Sequence, residues 1–456
     1  MRLRLRLPVV VAMYALATPA ASQSILATAV RDTTLQNGLQ VIVVPNTSAP
    51  FVTVETVFRS GAFVQQVQGY EGLPHLIEHL LFRSDGGSFS TDADKIAASW
   101  NGVTSTESVR YYMSFPSANT AKGLDIMARL VRKPDFSKES IEAEKKVVAG
   151  EMQRHASDPE SLLLTEADLL LWGDVGLTVK SAGGNLLAIN GATADKLKEM
   201  YNHFYVPNNA AIVIAGDVDS TIFSVVNKAF GSWKRGDDPL AKLSPSPVVP
   251  LSSVKKKIIT AEVKDVTFLV RWQGPSVTKD AAATYAADVF SGLVNQRVSA
   301  TQKRLVDAGI LDDISLSYET LRDVGPIDLY ARTSPDRAAA AAEAIGEELA
   351  LLVKPDYFGA EDLTLAKKWQ AVSTLRGNER AASAADAIAS LWGSADLAYY
   401  RTYDAKMASQ TADDVHSYVA KYIAGKPLAV IVRMPSDAWN QYGVSVQRAL
   451  GAWGKP

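Results

Sequence analysis

The residues with the clearest capacity for chemistry lie in the run Gly72-Leu-Pro-His75-Leu-Ile-Glu78-His79-Leu-Leu-Phe82. On a helix, His75 and His79 are i and i+4, neighbours on one face with Cβ atoms about 5–6 Å apart. Two imidazoles so placed can converge on one Zn²⁺ at about 2.0–2.1 Å each. Glu78, three residues after His75, projects beside such an ion. Pro74 suits a first helical turn, where its missing N–H is no loss. Leu76, Ile77, Leu80 and Leu81 would root that helix in a core. The order inverts the His-Glu-x-x-His zinc helix and keeps its mechanics. The plain alternative is two structural histidines sharing a face, which a chain with only five histidines offers few chances to produce.

Two imidazoles leave a catalytic zinc one protein ligand short, because such sites usually hold three plus a water. The segment from Ser140 to Arg154 has a helical pattern and carries Glu144 and Glu151, two turns apart and facing the same way. Val147 and Val148 lie between them and predict that this face is buried. A buried carboxylate needs a partner, and a metal or its imidazole ligands would serve. Spacing alone leaves Glu144 and Glu151 as equal candidates for the third ligand. Glu142 reads as solvated, and His155, one turn past Glu151, as a solvated helix end. His203 and His416 receive no role. The chain has no cysteine, which excludes disulfides, thiolate metal sites and lipid attachment at Cys.

These residues must be held by a larger frame, and the sequence writes that frame twice. Tyr112-Met-Ser-Phe-Pro116 leads through an amphipathic helix to Lys133-Pro-Asp-Phe136, and Tyr330-Ala-Arg-Thr-Ser-Pro335 leads likewise to Lys354-Pro-Asp-Tyr357. Thr193-Ala-Asp195 and Thr411-Ala-Asp413 each open a helix before an apolar strand. Gly231-Ser-Trp233 and Gly451-Ala-Trp453 close the two copies. An ordered series at an offset of roughly 220 residues indicates a duplicated unit. Strands such as Gln40–Val44, Val52–Phe58 and Val266–Trp272, set among longer helical patterns, predict an α+β chain. The expected architecture is two homologous domains, each a mostly antiparallel sheet covered by helices. The expected boundaries are a leader at 1–22, a first domain at 23–235, a proline-rich linker at 236–254 and a second domain at 255–456.

The leader has the layout of a secretory signal peptide: Arg2, Arg4 and Arg6, an apolar stretch from Leu7 to Ala17, then Ala20-Ala21-Ser22. Cleavage near Ser22 and a periplasmic location follow from it. The apolar stretch is too short for a stop-transfer helix, so no stable membrane insertion is expected. A net charge of −2 gives no reason to propose a nucleic acid or an anionic membrane as partner.

Taken together, His75-Leu-Ile-Glu78-His79 and the downstream Glu144-Lys-Lys-Val-Val-Ala-Gly-Glu151 resemble the pitrilysin (insulysin-type) zinc peptidases. The resemblance extends to Asn101-Gly-Val-Thr104, similar to that family's active-site edge strand, to Tyr205-Val-Pro-Asn208-Asn209-Ala210 and to Gly216-Asp217. It implies His75, His79 and Glu151 as zinc ligands, Glu78 as general base and Glu144 as a carboxylate supporting the site. Asn101 and Thr104 would lie along an extended peptide substrate. Length and duplication match the half-size chains that pair into a chamber, as mitochondrial processing peptidase does. The second copy has Val372 or Ser373 where the first has Glu151, so no metal site is expected there.

The family's second domain normally carries an Arg and, seven residues on, a Tyr that reach the zinc site. Here those positions hold Leu305 and Asp312, and neither can stabilise an oxyanion; a register slip would bring in Arg304 or Tyr318, though Tyr318 lies six residues late. The resemblance therefore implies a heterodimer in which a homologous partner supplies the pair. The alternative is a non-catalytic core or assembly subunit of the same fold.

Overall fold

The computed structural model describes residues 30–244 and 246–453, and the leader expected at 1–22 lies outside them. The first half builds a six-stranded sheet from β1 (Arg31–Thr34), β2 (Gln40–Pro45), β3 (Phe51–Phe58), β4 (Ser99–Thr104), β5 (Val109–Pro116) and β6 (Ala210–Gly216). Its order is β1-β2-β6-β3-β5-β4. The second half builds a five-stranded sheet from β7 (Lys255–Ala261), β8 (Val266–Gln273), β9 (Asp313–Tyr318), β10 (Pro326–Thr333) and β11 (Ala429–Pro435), in the order β7-β11-β8-β10-β9. In each sheet one pair is parallel, β2 with β6 and β7 with β11, and the others are antiparallel.

Apart from β1, the second order repeats the first. Each strand begins 214–219 residues after its counterpart. The duplication legible in the motifs is thus a duplication of topology. The described residues of 236–254 contain no helix or strand. Val248 and Leu251 within them pack on Leu171 and Trp172, and Gln273 accepts a hydrogen bond from the Leu251 amide (2.9 Å).

Both sheets carry apolar residues on both faces. In the first, Val41, Val43, Val52, Val54, Ile212 and Ile214 point into the larger core of their own half. The residues between them, Ile42, Val44, Val57, Ala211, Val213 and Ala215, form a second apolar face. Alternation makes two such faces unavoidable in β2 and β6, where nearly every residue is apolar, while β3 and β5 turn the paired Glu55 and Arg110 to the second face.

The four helices that matter most for the site and the frame are α1 (Leu73–Leu81), α2 (Lys138–Ser157), α3 (Pro159–Lys180) and α4 (Ala381–Ser394). Helix α4 belongs to the second half, yet its Ala385, Ile388, Ala389 and Trp392 cover the open face of the first sheet. Helix α3 belongs to the first half, and its Leu163 and Ala167 cover Leu269 and Ile431 on the second sheet. The exchange is reciprocal.

Polar contacts fix both crossings. Arg59 lies over the Trp392 ring at 3.9 Å and donates to the Trp392 and Ala395 carbonyls (3.0 and 2.8 Å). Trp392 Nε1 donates to Gln40 (2.7 Å). On the other sheet, Arg271 pairs with Asp168 of α3, and Arg433 with Glu160 (2.7 Å).

Because Trp392 anchors one crossing, Trp392→Ala should lower the unfolding free energy by about 3–5 kcal/mol. Chemical denaturation checks this, and a loss below about 1 kcal/mol would show that the crossing is not a main support.

Candidate metal centre

Helix α1 starts at Gly72, whose φ of 84° is a left-handed conformation that glycine adopts freely. A Cβ there would also meet Ile189 at 2.9 Å and Gly184 at 3.1 Å. Pro74 sits in the first turn, and Leu76, Ile77, Leu80 and Leu81 are wholly buried. The opposite face carries His75 and His79. Helix α2 starts at the cap residue Ser137, whose hydroxyl accepts from the Ser140 amide (3.2 Å), and it brings Glu144 and Glu151 against α1.

The side chains converge. His75 Nε2 and His79 Nε2 are 3.3 Å apart, and Glu151 Oε2 lies 3.6 Å from the first and 3.5 Å from the second. Ligand bonds of about 2.0–2.1 Å around a tetrahedral ion place donor atoms about 3.3–3.4 Å apart. The three atoms already stand at close to that spacing, so the residues present fit zinc. Burial, with His79 adding to it, pushes His75 down to about 4, so at neutral pH its ring keeps a lone pair for a metal.

Glu144 does not join the three. Its Oε2 accepts from His79 Nδ1 (3.0 Å) and its Oε1 from Arg83 Nε (2.6 Å). The structure thus separates two carboxylates that sequence spacing left equivalent: Glu151 stands with the two imidazoles as a group that could hold an ion, and Glu144 hydrogen-bonds the far side of the His79 ring. Glu144 is 6% exposed. The expectation for Val147 fails, since it is 42% exposed while Val148 is fully buried. Only the stripe 144, 148, 151 faces α1, which leaves Val147 on the flank. Glu142 is exposed and pairs with Lys145 (2.9 Å).

Glu78 is 7% exposed, and its Oε2 accepts from the Thr104 hydroxyl (2.5 Å). Burial raises its carboxyl above the usual range, and the Thr104 hydrogen bond opposes the rise. Thr104, expected along the substrate, is therefore bound to Glu78 here. Asn101 is exposed, and its Oδ1 accepts from the Gly102 amide (2.9 Å). Both lie on β4, the edge strand of the first sheet. Two further residues escaped sequence reasoning. Gly102 lets β4 approach so closely that a Cβ would sit 2.4 Å from Glu78 Oε1. A glycine inside a strand was the available signal for that approach. Arg83, just past the helix, holds Glu144.

A cavity of 1020 Å³ opens over these groups, with its lining drawn from residues between His75 and Gly184. His155 is exposed and stands on its rim. No described residue of the second half lines it. Leu305 is buried in the second core, Asp312 pairs with Arg337 (2.6 Å), and Arg304 pairs with Glu348 (2.7 Å). Tyr318 donates to the Pro275 carbonyl (3.1 Å). In the second copy, the corresponding groove of 650 Å³ contains Trp369, Gln370 and Ser373 and no histidine. Its edge strand is occupied by Asn295, whose side-chain amide bonds both the N–H and the carbonyl of Leu316 (2.7 Å each).

Comparison with known proteins gives consistent matches. The insulinase (peptidase family M16) profile matches residues 40–168, and the peptidase M16 inactive domain profile matches residues 191–368. The chain is 21% identical to the uncharacterized zinc protease YmxG of Bacillus subtilis, over 74% of this chain and 81% of that one. It is 28% identical to the zinc protease PqqE of Helicobacter pylori over 47% of this chain and 49% of the relative, so the match spans about half of that relative. Among solved structures, a protease from Helicobacter pylori superposes with a TM-score of 0.77 at 21% identity, covering 89% of this chain and 99% of that one. The periplasmic protease PqqL from Escherichia coli superposes with a TM-score of 0.74 at 17% identity, covering 94% of this chain and 50% of that one.

If Glu144 orients His79, Glu144→Gln should weaken zinc affinity by roughly 10–100-fold. Competition with a chromogenic chelator measures this, and an unchanged affinity would remove Glu144 from the site.

Proposed function

We propose, from the premise that this chain belongs to the insulinase (M16, pitrilysin-like) peptidase family, that it is the zinc-bearing subunit of a peptidase acting on peptides or unfolded polypeptide segments. The observation that carries this reading is the spacing of His75 Nε2, His79 Nε2 and Glu151 Oε2 for one tetrahedral ion, with the Glu78 carboxylate in the same cavity.

Zinc held by those three residues would supply Lewis acidity toward the scissile carbonyl and bring a water's pKa down to about 7. Glu78 is the general base: its carboxylate takes the attacking water's proton and later delivers it to the leaving amine nitrogen. Thr104 holds that carboxylate toward the cavity. The raised affinity of buried Glu78 for a proton suits a group that must both accept and return one. Glu144 and Arg83 keep the His79 ring in one orientation. The free edge of β4 can pair with an extended peptide backbone, a mode that reads main chain more than side chains.

What the cavity lacks supports a two-chain enzyme. Among the described residues no donor from the second half enters it, and the positions where the family carries its Arg and Tyr hold a buried Leu305 and an ion-paired Asp312. A homologous partner chain would supply those donors. The Arg2–Arg6 and Leu7–Ala17 pattern supports export to the periplasm with cleavage near Ser22. No described helix is long and apolar enough to cross a membrane.

Glu78→Gln should lower turnover of a quenched peptide by at least ~10²-fold while metal analysis still finds one zinc per chain. Near-full activity would remove Glu78 as the base, and loss of zinc would make it a structural residue. Recovered from the periplasm, the mature chain should begin near Gln23. Adding its homologous partner should raise its turnover by roughly 10²–10³-fold. Full activity of the isolated chain would show that no partner is needed.

A further inference from the structure

The zinc cavity occupies one face of the sheet edge at β4. Trp100, Gly102 and Thr104 turn to that face: the Trp100 ring lies 4.9 Å from that of Phe82, Gly102 packs on Glu78, and Thr104 bonds Glu78. Side chains alternate along a strand. Val103 and, just beyond the strand, Ser105 therefore border a second cavity, of 900 Å³, on the other side of the sheet, where it meets the second half of the chain. Val103 lines both cavities, so they adjoin at this edge. A peptide added alongside β4 would alternate in the same way, sending every second side chain away from the zinc and toward this second cavity.

Its walls are acidic. Glu55, Glu107, Asp288, Glu319, Asp386 and Asp404 line it, with Arg110 as the one basic lining residue. Arg110 is already engaged, by Glu55 at 3.2 Å and by Asp386. Glu107 is 3% exposed. Its Oε1 accepts from the Arg322 amide (3.0 Å), and its Oε2 meets no donor. Lys180, the cation acting most on it, donates instead to the Val324 carbonyl (2.5 Å). Asp288 accepts from the Tyr403 hydroxyl (2.7 Å), and no cation compensates it. Burial pushes Glu55, Glu107 and Asp288 up to about 7; Arg110 opposes the rise at Glu55, and Lys180 and Arg322 oppose it at Glu107. An orphaned buried acceptor at Glu107 and a half-buried Asp288 with no cation are both costly, and a ligand's cation offsets both.

We propose that this cavity is a specificity subsite for Lys or Arg side chains of the peptide substrate, at positions alternating with those that face the zinc. The proposal rests on the peptidase reading above. It is tested by an Arg scan through a neutral, extended, fluorescent peptide, each Arg compared with citrulline, its uncharged isostere. Cleavage is followed with zinc-loaded wild-type protein and its partner, and binding with the Glu78→Gln form. Arg should be preferred by roughly 10–100-fold at alternate positions. The preference should fall at least severalfold in Glu107→Gln and in Asp288→Asn. Asp288→Asn removes a charge that burial disfavours, so a folded variant is at hand even if Glu107→Gln does not fold. Equal handling of Arg and citrulline overturns the subsite whether or not the peptide is cut, as does an Arg preference that survives both substitutions. An Arg preference in binding that depends on these residues, with no cleavage, supports the subsite and removes the peptidase reading instead.

Discussion

The contact on which the rest of this structure depends is the exchange of one helix between the halves, because each half makes a sheet with apolar residues on both faces and the other half's helix covers those on the second face. Helix α4 crosses to the first sheet and α3 to the second. Left uncovered, the faces carrying Val57 and Val213 on one sheet and Leu269 and Ile431 on the other would be exposed to water. Burying an aliphatic side chain is worth about 1.5–3 kcal/mol, so several together outweigh any single ion pair at the crossing. The halves are therefore not independent modules joined by a tether. Each is part of the other's core.

That constraint also shapes the candidate site. With its sheet held on both faces, β4 remains as an edge strand whose one face packs on α1 through Gly102 and whose outer edge is free. Helices α1 and α2 then need only a shared seam to bring two imidazoles and one carboxylate to metal spacing. The second copy keeps the same seam and edge strand and fills them differently. Asn295 occupies the strand edge there, and no imidazole is present. The frame is thus the same in both copies, while the second has neither the metal donors nor an open edge.

Most of this architecture is legible in the sequence. Paired motifs at a constant offset reveal duplication because the same turns and caps recur wherever the same topology recurs, as Thr193 and Thr411 do at two helix starts. The spacing of His75, Glu78 and His79 is legible because a helix converts it directly into geometry. Three things were not legible. The choice between Glu144 and Glu151 was not legible from spacing, only from the family resemblance, because it depends on the rotation of α2 against α1, which a spacing of seven does not determine. The helix exchange is invisible because α4 reads as one more apolar helix of its own half. The acidic cavity behind β4 draws Glu107, Asp288 and Asp386 from distant segments, and each alone reads as a surface carboxylate.

The central claim is that His75, His79 and Glu151 hold one zinc ion beside Glu78. Anomalous diffraction at the zinc edge, from crystals of the zinc-loaded protein, tests it most directly. The account predicts one peak per chain, about 2.0–2.1 Å from both Nε2 atoms and from the Glu151 carboxylate. A peak at other residues, or none at one equivalent of zinc, would contradict it.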